Sequence, residues 1–379
     1  MLITNALLYM SDHTFQKGSL VIKGKLIQEV CPISHTETDE DNRLDANGAY
    51  VIPGLIDLHL HGCMGVDFCD DSEQALSIMA DYLLQNGVTG FTPATMTLPP
   101  EQLEQVFRSA SSYQDQDGSR FLGIHMEGPF FSEQKKGAQD ARHLRLPSVE
   151  TFLHYQKLCG GCITQTDVAP ELPGALDYIK ALAGQVTVSL GHSAAGYQEA
   201  MAGFAAGASH VTHLFNGMLP FAHRDPGLVG AAAECQNVHV ELIGDGIHLH
   251  PAMIRLMFRL FGSERILLIS DSMRAAGMPD GAYNLGGQPV QVQNGKATLA
   301  DGTIAGSAVN LMECVRRVVS FGIPLTDAIR CASENPAKEL GRFSEIGSLE
   351  PGKYANLVLL TPDPSDLSIR QVILEGKLA

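Results

Sequence analysis

The chemistry in this sequence starts at His59 and His61, two histidines spaced i, i+2 at the end of the apolar stretch YVIPGLIDLHLHG at 50–62. On a strand that spacing turns both imidazoles to one face. At the C-terminal end of a buried strand such a pair can begin a divalent metal site, whereas in a solvated loop it would do nothing. Other apolar runs also end in residues able to bind or serve a metal. Glu127 follows His125 in HMEGP, His192 stands in SLGHS at 189–193, and His213 in THLFN at 212–216. GDGIH at 244–248 adds Asp245 and His248, and ISDS at 269–272 adds Asp271. Neutral imidazoles with a carboxylate and one open position are the ligand set of catalytic zinc or iron. Any one of these residues alone reads equally as a hydrogen-bonded core histidine or a capping aspartate. Together, at successive strand ends, they indicate a metal-dependent hydrolase.

The elements that must position them follow from periodicity. A helix is expected from Ser72, as its cap, to Gly87, a strand over 87–95, a helix over 100–112 and a third strand over 121–126. Further strands are expected over 164–169, 185–190, 208–214, 238–243 and 266–269, with helices such as 196–206 and 251–261 between them. Eight strand–helix alternations make an α/β protein of the (β/α)8 TIM-barrel type. Residues 1–50 read differently, as the short strands Leu2–Leu8, Gly18–Gly24 and Leu26–Val30, with an acidic loop over His35–Asn47. The C-terminal segment has the same β character over 352–360 and 369–376. The expected organisation is one small β-sandwich module formed by 1–50 and 345–379, flanking a hydrolase barrel over 51–344.

Composition sets the limits. The 379 residues suit a barrel of about 250 residues plus a smaller module. A hydrophobic content of 45% supports a large core, and a net charge of −16 argues against nucleic acid or an anionic membrane as partner. It also means that an anionic substrate needs a locally positive pocket. The eight scattered cysteines read as reduced thiols, and the CxxC pair Cys159 and Cys162 has no second pair to complete a zinc site. No apolar run reaches the roughly 18 residues of a membrane span, and the N-terminus lacks a basic segment with a cleavage site. A cytoplasmic protein is expected.

The motifs PGLIDLHLHG (53–62), HMEGPF (125–130), KKGAQ (135–139), GHS (191–193) and THLFNGM (212–218) carry a specific resemblance. So do HRDPGLVGAA (223–232), GDGIHL (244–249), LISDSM (268–273) and TIAGSA (303–308). In this order they resemble the amidohydrolase superfamily and, within it, the N-acetylglucosamine-6-phosphate deacetylase family, across essentially the whole chain. The resemblance implies a divalent metal, zinc or else iron, manganese or cobalt, held by Glu127, His192 and His213. His59 and His61 match a pair that in some members helps bind a second ion, so one or two ions per chain are implied. The fourth strand reads TDVAPE and lacks the lysine that bridges metals in many cousins, which argues against dihydroorotase- or hydantoinase-like activity.

The implied reaction is deacetylation of N-acetyl-D-glucosamine 6-phosphate to D-glucosamine 6-phosphate and acetate, in amino-sugar catabolism. Asp271 would serve as general base and then general acid. Arg224 suits a phosphate because its guanidinium forms a fork of hydrogen bonds. The resemblance adds Asn216, Gly217 and His248 around the sugar phosphate, and Ala138, Gln139, Ile304, Ala305 and Gly306 against the substrate. It also implies a homodimer in which Arg224 and His248 come from the neighbouring subunit. Gln139 departs from the family, where some members carry a histidine; an amide cannot titrate, so a proton-transfer role there is in doubt. A related deacylase acting on N-acetylgalactosamine 6-phosphate or an N-acyl amino acid stays open. A non-catalytic barrel would have lost a ligand or the aspartate, and here all are intact.

Overall fold

The computed structural model describes residues 1–31, 42–70, 73–114, 117–363 and 365–379. Among them, parallel strands follow one another around a TIM-like α/β barrel. The first is Leu55–Leu60 and the second Val88–Pro93; the third comes in two pieces, Arg120–Phe121 and Ile124–Met126. Ile163–Val168, Thr187–Leu190, His210–Val211, His239–Ile243 and Ile266–Ile269 are the fourth to eighth. The first three pair as one parallel sheet and Ile124–Met126 onward as a second. An Ala94–His125 bridge joins the two. On the other side the Asp271 N–H donates to His59 O at 2.9 Å, and Ser270 Oγ donates to the Asp57 carboxylate at 2.5 Å. Asp57 therefore clamps the eighth strand to the first beneath the histidine pair. Both the first and second strands are buried along their whole length, as expected of parallel strands covered on both faces.

The surrounding helices follow their sequence signals. Pro100–Ser112 starts on a proline and buries Leu103, Val106, Phe107 and Ala110, one stripe at helical spacing. Glu73–Gln85 gives way at Gly87, whose φ of 77° reverses the chain into the second strand. The Ser72 cap lies outside the described residues.

The third and sixth strands depart from expectation for identifiable reasons. The third breaks at Leu122–Gly123. The sixth stops at Val211 rather than 214, because the His213 N–H donates to the side chain of Glu241 (3.0 Å) instead of continuing the ladder. A four-stranded antiparallel sheet that the sequence reading did not anticipate, Gly281–Leu285, Gln288–Gln293, Lys296–Thr298 and Ile304–Ser307, is inserted after the eighth strand.

The terminal segments share one sheet. Leu357–Leu360 pairs with Tyr50–Pro53, which lies beside Leu2–Tyr9, followed by Phe15–Lys23 and Leu26–Cys31. A Leu26–Tyr354 bridge curls it back on itself. Tyr50–Pro53 pairs within this sheet, so the chain passes into the barrel at Gly54. Part of the expected loop over 35–47 lies outside the described residues; Arg43–Asp45, at its end, is a strand parallel to Leu2–Tyr9. All eight cysteines are free, and no helix among the described residues is long and apolar enough to cross a membrane.

Candidate active site

The C-terminal ends of the barrel strands bring His59, His61, Glu127, His192, His213 and Asp271 together, all of them buried. Glu127 is central. Its Oε1 is 3.0 Å from His192 Nε2 and 3.2 Å from His213 Nε2, and these two nitrogens are 3.1 Å from each other. His61 Nε2 lies 3.3 Å from both Glu127 Oε2 and Asp271 Oδ1. His59 Nε2 faces Glu127 and Asp271 at 3.7 Å each and has no hydrogen-bond partner.

These contacts fit a divalent cation. His192 Nδ1–H donates to Lys135 O at 3.0 Å, so in the neutral imidazole it is Nε2, beside His213 Nε2 and a carboxylate oxygen, that carries the lone pair a metal needs. His59 likewise gives its Nδ1–H to Glu241 at 3.0 Å and presents a bare Nε2 to two carboxylates. Lone pairs converging on one point are reconciled by a positive charge between them. Among the described residues three triads have donor atoms within 4.8 Å of one another; Glu127–His192–His213 and His59–His61–Asp271 suit this, whereas in His59–His125–Glu241 the carboxylate already accepts from His59 and from the His213 N–H.

In the metal-free chain, protons on these imidazoles supply that positive charge. Burial would favour the neutral acid at Glu127, but the charge of His59 and hydrogen bonds from His192 and His213 hold it well below the usual carboxylate range. Burial likewise disfavours charged His192, yet its bond to Glu127 moves it upward. The backbone is strained at the same positions: His192, His213 and Asp271 have φ of 46°, 30° and 47°. Such conformations cost about 1–3 kcal/mol each and cluster where function demands them. Here the Asp271 turn is held by its N–H to His59 O (2.9 Å) and by the Ser307 N–H donated to Asp271 O (2.7 Å).

Above the triads opens a cleft of about 300 Å³, lined by His61, Glu127, Ala138, Gln139, His192, His213, Asn216, Gly217, His248, Asp271, Ile304 and Gly306. His59 lies beneath it, and Ala305 is buried behind its neighbours. Arg224 is exposed in the 221–225 segment and does not line the cleft of its own chain. His248 corrects the sequence reading. It lines the cleft of its own chain, held by Asp245 Oδ2 at 2.7 Å from Nδ1, and needs no neighbouring subunit to reach it. Gln139 bonds Glu127 Oε2 through Nε2 (3.1 Å) while its Oε1 accepts from the Thr97 N–H (2.7 Å). Sequence reasoning missed Glu241, and also Met96, Phe215, Leu285 and Thr303 of the cleft wall. An acid within the apolar VELI at 240–243 was the available signal for Glu241.

The sequence profile of the Amidohydrolase family matches residues 50–379. The chain belongs to that family. This amidohydrolase is 39% identical over 336 residues to the N-acetylglucosamine-6-phosphate deacetylase of Bacillus subtilis (strain 168), covering 87% of this chain and 84% of the relative. It is 36% identical over 375 residues to the N-acetylgalactosamine-6-phosphate deacetylase of Escherichia coli O157:H7, covering 98% and 96%. Its fold superposes on a mutant N-acetyl-D-glucosamine-6-phosphate deacetylase of Mycobacterium smegmatis in complex with N-acetyl-D-glucosamine-6-phosphate. There the TM-score is 0.92 at 32% identity, over 100% of this chain and 98% of that one. Amidohydrolases are metal-dependent, and the triads above supply the donors.

Proposed function

We propose that this amidohydrolase deacetylates N-acetyl-D-glucosamine 6-phosphate in the cytoplasm, releasing acetate and D-glucosamine 6-phosphate. The observation that carries this reading is Asp271 in the cleft wall, its Oδ1 3.3 Å from His61 Nε2. That places a proton-accepting carboxylate, itself one corner of the His59–His61–Asp271 triad, beside the Glu127–His192–His213 triad, in a chain 39% identical to a deacetylase of this substrate.

In our reading Glu127, His192 and His213 hold one divalent ion, and His59 and His61 help hold a second. Zinc suits these donors first, and iron, manganese and cobalt also accept them. When bound, such an ion lowers the pKa of water towards about 7 and polarises a carbonyl oxygen. The protein does the rest. In the metal-free protein burial alone would keep Asp271 neutral, but the hydrogen bond from His61 and the charges of His59 and His61 hold its carboxyl below the usual range. Asp271 is thus ionised at neutral pH. It accepts the proton of the attacking water and returns it to the amide nitrogen as the C–N bond breaks, so the amine leaves uncharged. Asn216, Gly217, His248, Ala138, Gln139 and the Ile304–Gly306 segment orient the sugar.

For the phosphate we assign Arg224, and its position outside its own cleft supports a homodimer in which it serves the partner. We further read the expected barrel over 51–344 as a complete (β/α)8 barrel that begins at Gly54, with 51–53 joining 1–50 and 345–379 in one β-sandwich module. Acetate release from N-acetylglucosamine 6-phosphate, from its unphosphorylated parent and from the C4 epimer N-acetylgalactosamine 6-phosphate tests the assignment. Preference for the epimer would move the substrate and leave the chemistry.

A further inference from the structure

Glu241 lies in the seventh strand with no solvent exposure, and both its oxygens are fully engaged. Oε2 accepts from His59 Nδ1 and from the backbone N–H of His213, each at 3.0 Å. Oε1 accepts from Gln165 Nε2 at 3.1 Å and from His210 Nε2 at 3.2 Å. His59 and His213 belong to different triads, so one carboxylate holds both. Below it the pattern repeats. His210 Nδ1 lies 3.2 Å from Glu339 Oε1, and Glu339 Oε2 lies 2.7 Å from His239 Nδ1. Thr187 Oγ1 also donates to Glu339, at 3.1 Å. Glu339 therefore gathers the first residues of the fifth, sixth and seventh strands, and a column of alternating imidazoles and carboxylates crosses the barrel interior.

Such interiors are normally filled by branched apolar side chains. A buried ionic column costs desolvation that apolar residues of similar volume would avoid, so stability does not by itself account for it. Resting on the metal-hydrolase reading above, we propose that Glu241 is the positioning residue of the metal centre. It fixes the ring of His59 and the left-handed turn of His213 together, and is itself held by Gln165 and by His210, whose other nitrogen faces Glu339. Donating Nδ1–H to Glu241 gives His59 the tautomer that offers Nε2 as a ligand. Outer partners of this kind typically change metal affinity by about 10–100-fold when removed.

The test is the affinity of the full chain for Zn2+, measured by chelator competition on wild type, Glu241→Gln and Glu339→Gln. Glu241→Gln keeps the shape but cannot accept from all four donors, and about 10–100-fold weaker zinc binding is expected. Glu339→Gln, remote from every ligand, should weaken it several-fold through His210. A purely structural column would lower the unfolding midpoint of both variants and leave zinc affinity unchanged, which overturns the proposal. If Glu241→Gln does not fold, an unchanged affinity in Glu339→Gln overturns it alone. A wild-type chain that takes up no zinc would overturn the proposed function and this inference together.

Discussion

Gln139 donates to Glu127 Oε2 at 3.1 Å, the oxygen that faces His61, and so fixes the carboxylate whose other oxygen meets His192 and His213. A glutamine at this position cannot titrate, but it can aim a ligand. Its own amide is oriented by the Thr97 N–H at 2.7 Å. Replacing it by leucine leaves both a buried N–H and a carboxylate oxygen short of a partner. Loss of about 1–3 kcal/mol in denaturant unfolding of the metal-free protein is expected.

Asp271→Asn should keep the ion held by Glu127, His192 and His213 while kcat falls by about 10²–10⁴. The amide can still hydrogen-bond His61 but cannot carry the proton from water to nitrogen. Near-normal turnover with intact metal would remove Asp271 from the mechanism.

Metal removal is predicted to destabilise the fold, because Glu127, His192 and His213 meet within 3.2 Å only in the folded chain, so an ion held there binds the folded state alone. An ion at 100 times its Kd contributes about 2.7 kcal/mol. Scanning calorimetry before and after chelation should show a lower midpoint that recovers on re-addition. A midpoint indifferent to chelation contradicts the assignment.

Stability should also fall on the alkaline side. Burial opposes the charged form of His210, but Glu339 and Glu241 push it from an ordinary 6.5 up to about 10. A raised pKa means that its stabilisation is complete below 6.5 and lost as pH climbs to about 10. Glu339 moves the other way; burial raises it, but His210 and His239 depress it below its ordinary 4.5, so its contribution is lost only in acid. Unfolding free energy measured across this range should decline from mildly acidic to alkaline pH, and His210→Gln should flatten the decline. An unaltered alkaline slope in the variant would rule out His210 as its source.

If Arg224 serves the partner's cleft, Arg224→Ala and Asp271→Asn chains, each nearly inactive, should recover activity when refolded together. The mixed dimer has one cleft with both residues intact. No recovery would place Arg224 outside the shared site.

What the sequence disclosed follows from its physics. The first and eighth strands are buried on both faces, so their apolar runs end visibly at His59, His61 and Asp271. The sheet over 281–307 was hidden because its strands are short and half exposed, so NG at 294–295 and DG at 301–302 were its main signals. Glu241 is less legible because it sits in the middle of its strand, whereas His59, His61 and Asp271 stand where apolar runs end. The early stop of the sixth strand has the same origin, since Glu241 takes the N–H of His213. A sequence also cannot say which copy of a chain an exposed arginine serves, and there the placement of Arg224 against that of His248 separates two residues first read alike.

The central claim is tested most directly by acetate release from N-acetylglucosamine 6-phosphate beside unphosphorylated N-acetylglucosamine, with metal content assayed on the same purified sample. Fast release that requires the phosphate, with about one or two ions per chain, is the predicted result. No release from metal-loaded protein, or equal release from both sugars, would contradict it.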